Sequence, residues 1–169
     1  MHELKRAVRE SKEKSAPGED NIPYAALKYL PKKSICVLLD LYNEVWKTSI
    51  SPPTWCHSVI FHVLKTGKPK ESVTSYRPIS LTNTIGKIVE KIFVNRLVYY
   101  LEKNKLLTDV QTGFRPGRSA LDQLMRLQDT INKYNNNRGY TVGVFIDFQS
   151  AYDMLWHDGL MIKLVGYRW

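Results

Sequence analysis

The sequence predicts an α+β fold, and three observations carry that prediction. Apolar residues recur at helical spacing over 34–47 and 84–103. Two β-branched, aromatic stretches, 55–64 and 76–81, flank a polar loop with Gly67 and Pro69, as in a hairpin. A third such run, Thr141 to Ile146, is too short for a helix of its own and reads as a strand buried on both faces.

The chain has 169 residues, enough for one domain with a real core or for part of a larger one. It is 43% hydrophobic and 24% charged, which excludes general disorder. No apolar run approaches the length of a membrane span. The start, Met1-His2-Glu3-Leu4-Lys5, lacks the apolar core of a secretory signal. Cys36 and Cys56 have no metal-ligand spacing and imply no disulfide framework, so a reducing compartment is expected. His57 and His62, near Cys56, match no zinc pattern and read as strand residues.

The net charge of +9 is concentrated. Residues 61–118 hold 11 basic and 4 acidic side chains, whereas 119–169 hold 5 of each. The middle third suits a polyanion, whose counterions would be released on binding, and equally suits a solvated basic face.

Taken in order, residues 1–14 read as an amphipathic helix with Leu4, Ala7 and Val8 on one face. Ser15-Ala16-Pro17-Gly18-Glu19-Asp20-Asn21-Ile22-Pro23 is a loop. Tyr24 to Tyr29 forms a short helix that stops before Pro31. Residues 34–47 follow as a helix whose stripe is Ile35, Leu38, Leu39, Tyr42, Val45 and Trp46. After Pro52-Pro53, the strand 55–64 places Val59, Phe61 and Val63 on one side. Pro78 suits an edge position in the return strand. Asn83 or Thr84 caps a helix with Ile85, Ile88, Val89, Ile92, Phe93 and Leu97 on one face. Ser119 caps a helix carrying Leu121, Leu124, Met125 and Ile131. Asn135-Asn136-Asn137-Arg138-Gly139 is a turn, and Leu160 to Val165 a last helical piece.

The chemistry centres on Gly143-Val144-Phe145-Ile146-Asp147-Phe148-Gln149-Ser150-Ala151-Tyr152-Asp153. A carboxylate at the end of a buried strand is held rigidly with its oxygens at the surface, which suits a hard cation such as Mg²⁺. The same residue also suits a plain turn cap.

Several blocks, in order, resemble one family, the reverse transcriptases of non-LTR (LINE-type) retrotransposons, most like the jockey-type elements. The loop 15–23 resembles the family's Pro-Gly-Pro-Asp-Gly-Ile-Pro block, with Glu19 and Asn21 in place of the usual Pro and Gly. Leu64-Lys65-Thr66-Gly67-Lys68-Pro69 and Ser75-Tyr76-Arg77-Pro78-Ile79-Ser80-Leu81 resemble the two fingers blocks. Gly86-Lys87-Ile88-Val89-Glu90-Lys91, with Asn95-Arg96-Leu97, is similar to the helix after them. Gln111-Thr112-Gly113-Phe114-Arg115-Pro116-Gly117-Arg118-Ser119 resembles the Gln-x-Gly-Phe-Arg-x-Gly-x-Ser block. Phe145-Ile146-Asp147 through Tyr152-Asp153, then Trp156-His157-Asp158-Gly159-Leu160, resembles palm motif A and its sequel, with Tyr152 in place of the commoner Phe.

The resemblance implies an incomplete right-hand polymerase fold: an N-terminal helix (1–14), a fingers-like region (15–140) and the start of the palm (141–169). It implies an RNA-directed DNA polymerase acting on an RNA template, a DNA primer and dNTPs with two Mg²⁺ ions. Asp147 is then a catalytic metal ligand, and the Phe148 carbonyl meets the nucleotide-side ion. Tyr152 is the steric gate that crowds a ribose 2′-hydroxyl, and Lys65 and Arg77 grip the triphosphate. Gly113, Phe114 and Arg115 line the template path. The family setting is intracellular, in cytoplasm and nucleus, away from membranes. The chain stops before the family's aromatic-Ala-Asp-Asp block, the thumb and any endonuclease, so it is expected to be a fragment without activity of its own. The competing expectation is a non-catalytic nucleic-acid-binding remnant. An aspartyl phosphatase of the haloacid-dehalogenase kind is set aside, because it needs a second aspartate where this chain has Gln149.

Overall fold

The computed structural model describes residues 1–136, 139–148 and 150–169. Among the described residues, six α-helices, two short 3₁₀ turns and one two-stranded sheet form a mixture of helix and small sheet compatible with the α+β class. The contacts divide it into two units, Met1–Asn95 and Arg96–Trp169.

The first unit holds the core. Helix α1 (His2–Arg9) turns Leu4, Ala7 and Val8 inward, and α2 (Tyr24–Lys28) turns Tyr24 and Leu27 inward. Helix α3 (Lys32–Thr48) adds Leu38 and Tyr42, and the first turns of α4 (Thr84–Lys103) add Ile88. The 34–47 stripe is thus only partly core: Trp46 at its end is half exposed and meets Phe93, ring centroids 6.2 Å apart. Tyr42 joins α3 to α4 by donating its hydroxyl to the Ile85 carbonyl at 2.7 Å. Burial pushes that phenol well above its ordinary pKa. Trp55 sets its ring edge-on to Tyr42, with centroids 6.0 Å apart. Gly86 admits this ring, since a Cβ there would stand 3.2 Å from the Trp55 Cγ.

Two sequence-based boundaries move. The N-terminal helix ends at Arg9 rather than at 14, and Ser11 folds back to donate its hydroxyl to the Ala7 carbonyl at 2.7 Å. The residues 12–15 offer no apolar side chain to extend the buried stripe. The first strand begins at Ser58, because Pro53–Cys56 forms a 3₁₀ turn that sets a partly buried Trp55 against the core. Strands β1 (Ser58–Leu64) and β2 (Tyr76–Thr82) pair antiparallel as a hairpin, with Val63 opposite Arg77 and His62 opposite Pro78. Gly67 takes φ +75° in the connecting loop, a conformation that suits glycine.

The second unit contains the end of α4, α5 (Ala120–Asn136) and α6 (His157–Gly166). None of its described residues is buried. Tyr100 donates its hydroxyl to the carbonyls of Tyr167 (2.6 Å) and Arg168 (3.1 Å), tying the end of α4 to the end of α6. Asp122 accepts from the Ser119 N–H at 2.6 Å and caps the start of α5. That helix continues through Asn135 and Asn136, which the sequence reading assigned to a turn; Asn137 and Arg138 lie outside the described residues.

The largest correction concerns Thr141 to Ile146. It is neither strand nor buried: Phe145 is 87% exposed and Ile146 77%. A strand is completed by a ladder partner, and among the described residues the sheet has only β1 and β2, which pair with each other. High β propensity without a partner leaves a stretch with no regular structure whose apolar side chains Val142, Val144, Phe145 and Ile146 are exposed.

Candidate nucleic-acid and nucleotide site

The residues singled out by sequence fall into both units, and each group has its own geometry. In the first unit, Lys65 and Arg77 sit at the tip of the hairpin. Arg77 faces Val63 across the ladder, and Lys65 is two residues beyond Val63. Lys65 lies one residue beyond the end of β1, so Lys65 and Arg77 stand at the same end of the hairpin, and Arg77 shares its face with Val63. That face also carries Val59, Phe61 and Ile79, all at least 41% exposed. The Lys65 ammonium donates to the Thr74 carbonyl at 2.8 Å, and its backbone N–H donates to the Ser75 carbonyl at 2.8 Å. Lys65 is thereby braced across the loop, while Arg77 is exposed.

The second unit holds the other candidates. Asp147, Phe148 and Tyr152 are exposed, and Ser150 between them takes φ +51°. Gln149 lies outside the described residues. A two-metal centre needs several oxygen donors converging on each ion. Among the described residues no three His, Cys, Asp or Glu side chains come together to hold an ion. Asp147 alone does not fit a resident Mg²⁺.

The loop 104–118 is built differently. Arg115 donates Nε and Nη2 to the two oxygens of Glu102, each at 2.8 Å. Its Nη1 donates to the carbonyls of Thr108 (2.6 Å) and Gln111 (3.3 Å). Its side chain is 6% exposed. The hydrogen bond from Arg115 holds the Glu102 carboxyl below the usual carboxylate range and raises the guanidinium in turn. Phe114, one residue earlier, is 90% exposed with φ +58°. Gly113 is exposed, and a Cβ there would meet nothing.

Two residues of this arrangement escaped the sequence reading. Glu102 stands 13 positions from Arg115, a spacing with no local signature. Asp20 accepts from the Thr84 N–H at 2.8 Å and caps α4 from 64 residues away. The first could have been sought as a partner for an arginine between glycines, and the second as a carboxylate in a loop rich in turn formers.

Among the described residues no helix is long and apolar enough to cross a membrane. Residues 68–167 match the family model described as reverse transcriptase (RNA-dependent DNA polymerase). That span contains Arg77, Gly113, Phe114, Arg115, Asp147, Phe148 and Tyr152 but not Lys65. The chain is 38% identical over 164 residues to the probable RNA-directed DNA polymerase from transposon BS of Drosophila melanogaster, covering 97% of this chain and 18% of that protein. It is 34% identical over 163 residues to the RNA-directed DNA polymerase from mobile element jockey of the same species, covering 96% and 18%. The Pol polyprotein from type-1 retrotransposable element R1 of Bradysia coprophila is 29% identical over 169 residues, with 97% and 16% covered. The chain thus spans less than a fifth of the length of these relatives. It belongs to the reverse transcriptase (RNA-dependent DNA polymerase) family, and its relatives are polymerases of jockey-like and other non-LTR mobile elements.

Proposed function

We propose that these residues are the fingers and the beginning of the palm of an RNA-directed DNA polymerase that copies RNA in a non-LTR retrotransposon. On this reading 1–14 is an N-terminal helical segment, 15–140 the fingers-like region and 141–169 the start of the palm in a right-hand fold. In a complete polymerase Asp147 and the Phe148 carbonyl would help to hold two Mg²⁺ ions, and the ions would need further carboxylates besides Asp147. The Tyr152 ring excludes a ribose 2′-hydroxyl and so selects dNTPs. Lys65 and Arg77 bind the triphosphate, a task the planar fork of arginine suits. Gly113, Phe114 and Arg115 border the RNA template, and the primer end meets the palm. The setting is intracellular, in cytoplasm and nucleus.

The observation that carries this reading is the placement of Lys65 and Arg77, two cations, at one end of a hairpin with exposed apolar side chains in a reverse-transcriptase family member. It suits a ligand with both phosphates and a flat apolar ring. The test is dATP binding by the chain, followed by nuclear magnetic resonance. Shifts clustered at 59–81 and abolished in the double variant Lys65→Ala, Arg77→Ala are expected. Shifts unchanged in that variant refute the assignment.

The concentration of charge in residues 61–118, 11 basic against 4 acidic side chains, carries a second reading for the chain by itself, nucleic-acid binding without synthesis. It expects no primer extension on primed RNA with dNTPs and Mg²⁺, and RNA binding that weakens with salt. Extension that depends on Asp147 overturns it.

A further inference from the structure

Phe114 combines two unfavourable features. A bulky residue at φ +58° is disfavoured sterically, and a phenyl ring 90% exposed forgoes burial. The surrounding loop nevertheless fixes it. Arg115 spends four hydrogen bonds on Glu102, Thr108 and Gln111. Gln111 donates its side-chain amide to the Gly113 carbonyl at 3.2 Å. From α5, Arg126 donates twice to the Asp109 carbonyl, each at 3.3 Å, and Gln123 donates to the Val110 carbonyl. An outlier so firmly held points to use rather than to slack.

The bonding of Arg115 matters as much. Four of its five N–H groups are engaged, two by loop carbonyls and two by Glu102 at the end of α4, and its charge is neutralised by that bidentate carboxylate. It is a poor phosphate ligand and a good brace. The group offered outward is the ring, whose face suits any unpaired base.

We infer that Phe114 is a stacking platform for one unpaired base of a single-stranded RNA, and that Glu102 and Arg115 are positioning residues that hold it out to solvent. This deepens the template-border reading above and rests on it. Arg115 makes no phosphate contact, and the platform tolerates every base, because each has a π-face.

The test is fluorescence anisotropy of the full chain with a labelled single-stranded RNA of about 12 nucleotides in mixed sequence, across about 50 to 200 mM salt. Phe114→Ala is expected to weaken binding about tenfold with an unchanged salt slope, and Phe114→Tyr to restore it. Glu102→Ala is expected to weaken binding although it removes a negative charge, whereas charge alone predicts tightening. Tightening by Glu102→Ala, or wild-type affinity for Phe114→Ala, overturns the platform and leaves the template-border reading standing. A salt slope lowered by about one in Arg115→Ala makes that residue a phosphate contact and also overturns the platform. Wild-type protein that binds no RNA overturns both readings.

Discussion

Asp20 caps a helix that begins 64 residues later: its carboxylate accepts the Thr84 backbone N–H at 2.8 Å. The first N–H groups of a helix have no partner inside it, and negative charge is favourable there. Asn83 covers two more, accepting from Ile85 at 2.9 Å and from Gly86 at 3.2 Å. The loop 17–22 is thus fastened to the junction between β2, which carries Arg77, and α4. Asn21 within it takes φ +50°, where the family block resembled has glycine. Asparagine is among the few non-glycine residues that adopt this conformation readily.

Asp20→Ala therefore lowers stability by about 1 kcal/mol, the usual scale of a lost cap. Urea denaturation measures it, and Asp20→Asn, which keeps an acceptor but not the charge, falls between wild type and alanine.

Gly18→Ala is expected to cost more than an ordinary surface change. A Cβ at Gly18 would run into the Thr82 carbonyl and stand 2.8 Å from the Asn83 nitrogen, both backbone atoms. Forced displacement of packed backbone costs about 1 to 3 kcal/mol. A lowered thermal midpoint, with a fold unchanged by circular dichroism, is the expected result.

Ile88 is fully buried against the helices of the first unit, whereas Val73 is 88% exposed. Ile88→Ala is expected to destabilise by about 2 to 5 kcal/mol. Val73→Ala is expected to stay within about 0.5 kcal/mol of wild type. Equal effects in denaturant melts would contradict the assignment of the core.

Acid should release the 104–118 loop. The Glu102 carboxyl is held below its ordinary value by the hydrogen bond from Arg115 and by its charge. The stabilisation is complete above the unfolded-state pKa and disappears as pH falls through the lowered folded value. The protection factor of the Arg118 amide, which donates to the Arg115 carbonyl at 3.4 Å, should thus fall on acidification below the carboxylate range in the wild type, once the slower intrinsic exchange in acid is divided out. Glu102→Gln should show fast exchange already at neutral pH.

Some of this architecture was legible locally. Helices α3 and α4 follow from apolar periodicity, and the hairpin from two β-rich runs around Gly67 and Pro69. The side chains Leu38, Tyr42 and Ile88 were on the stripes that periodicity marked. Periodicity does not say what covers a stripe, so Leu121, Leu124 and Met125 on α5 are each about 60% exposed. The 141–146 run has strand composition, yet a strand is a pairing between distant segments, and composition carries no partner. The Glu102–Arg115 brace and the Asp20–Thr84 cap are likewise made by folding. The ordered motif blocks did reach the family, because each block is local.

The most direct measurement is primer extension by a chimeric polymerase in which these 169 residues replace the matching segment of the jockey relative. Extension of a primer on RNA that requires Mg²⁺ and is lost with Asp147→Ala is the expected result. A chimera that extends primers equally well with Asp147→Ala would contradict the assignment of Asp147 to the catalytic metal centre.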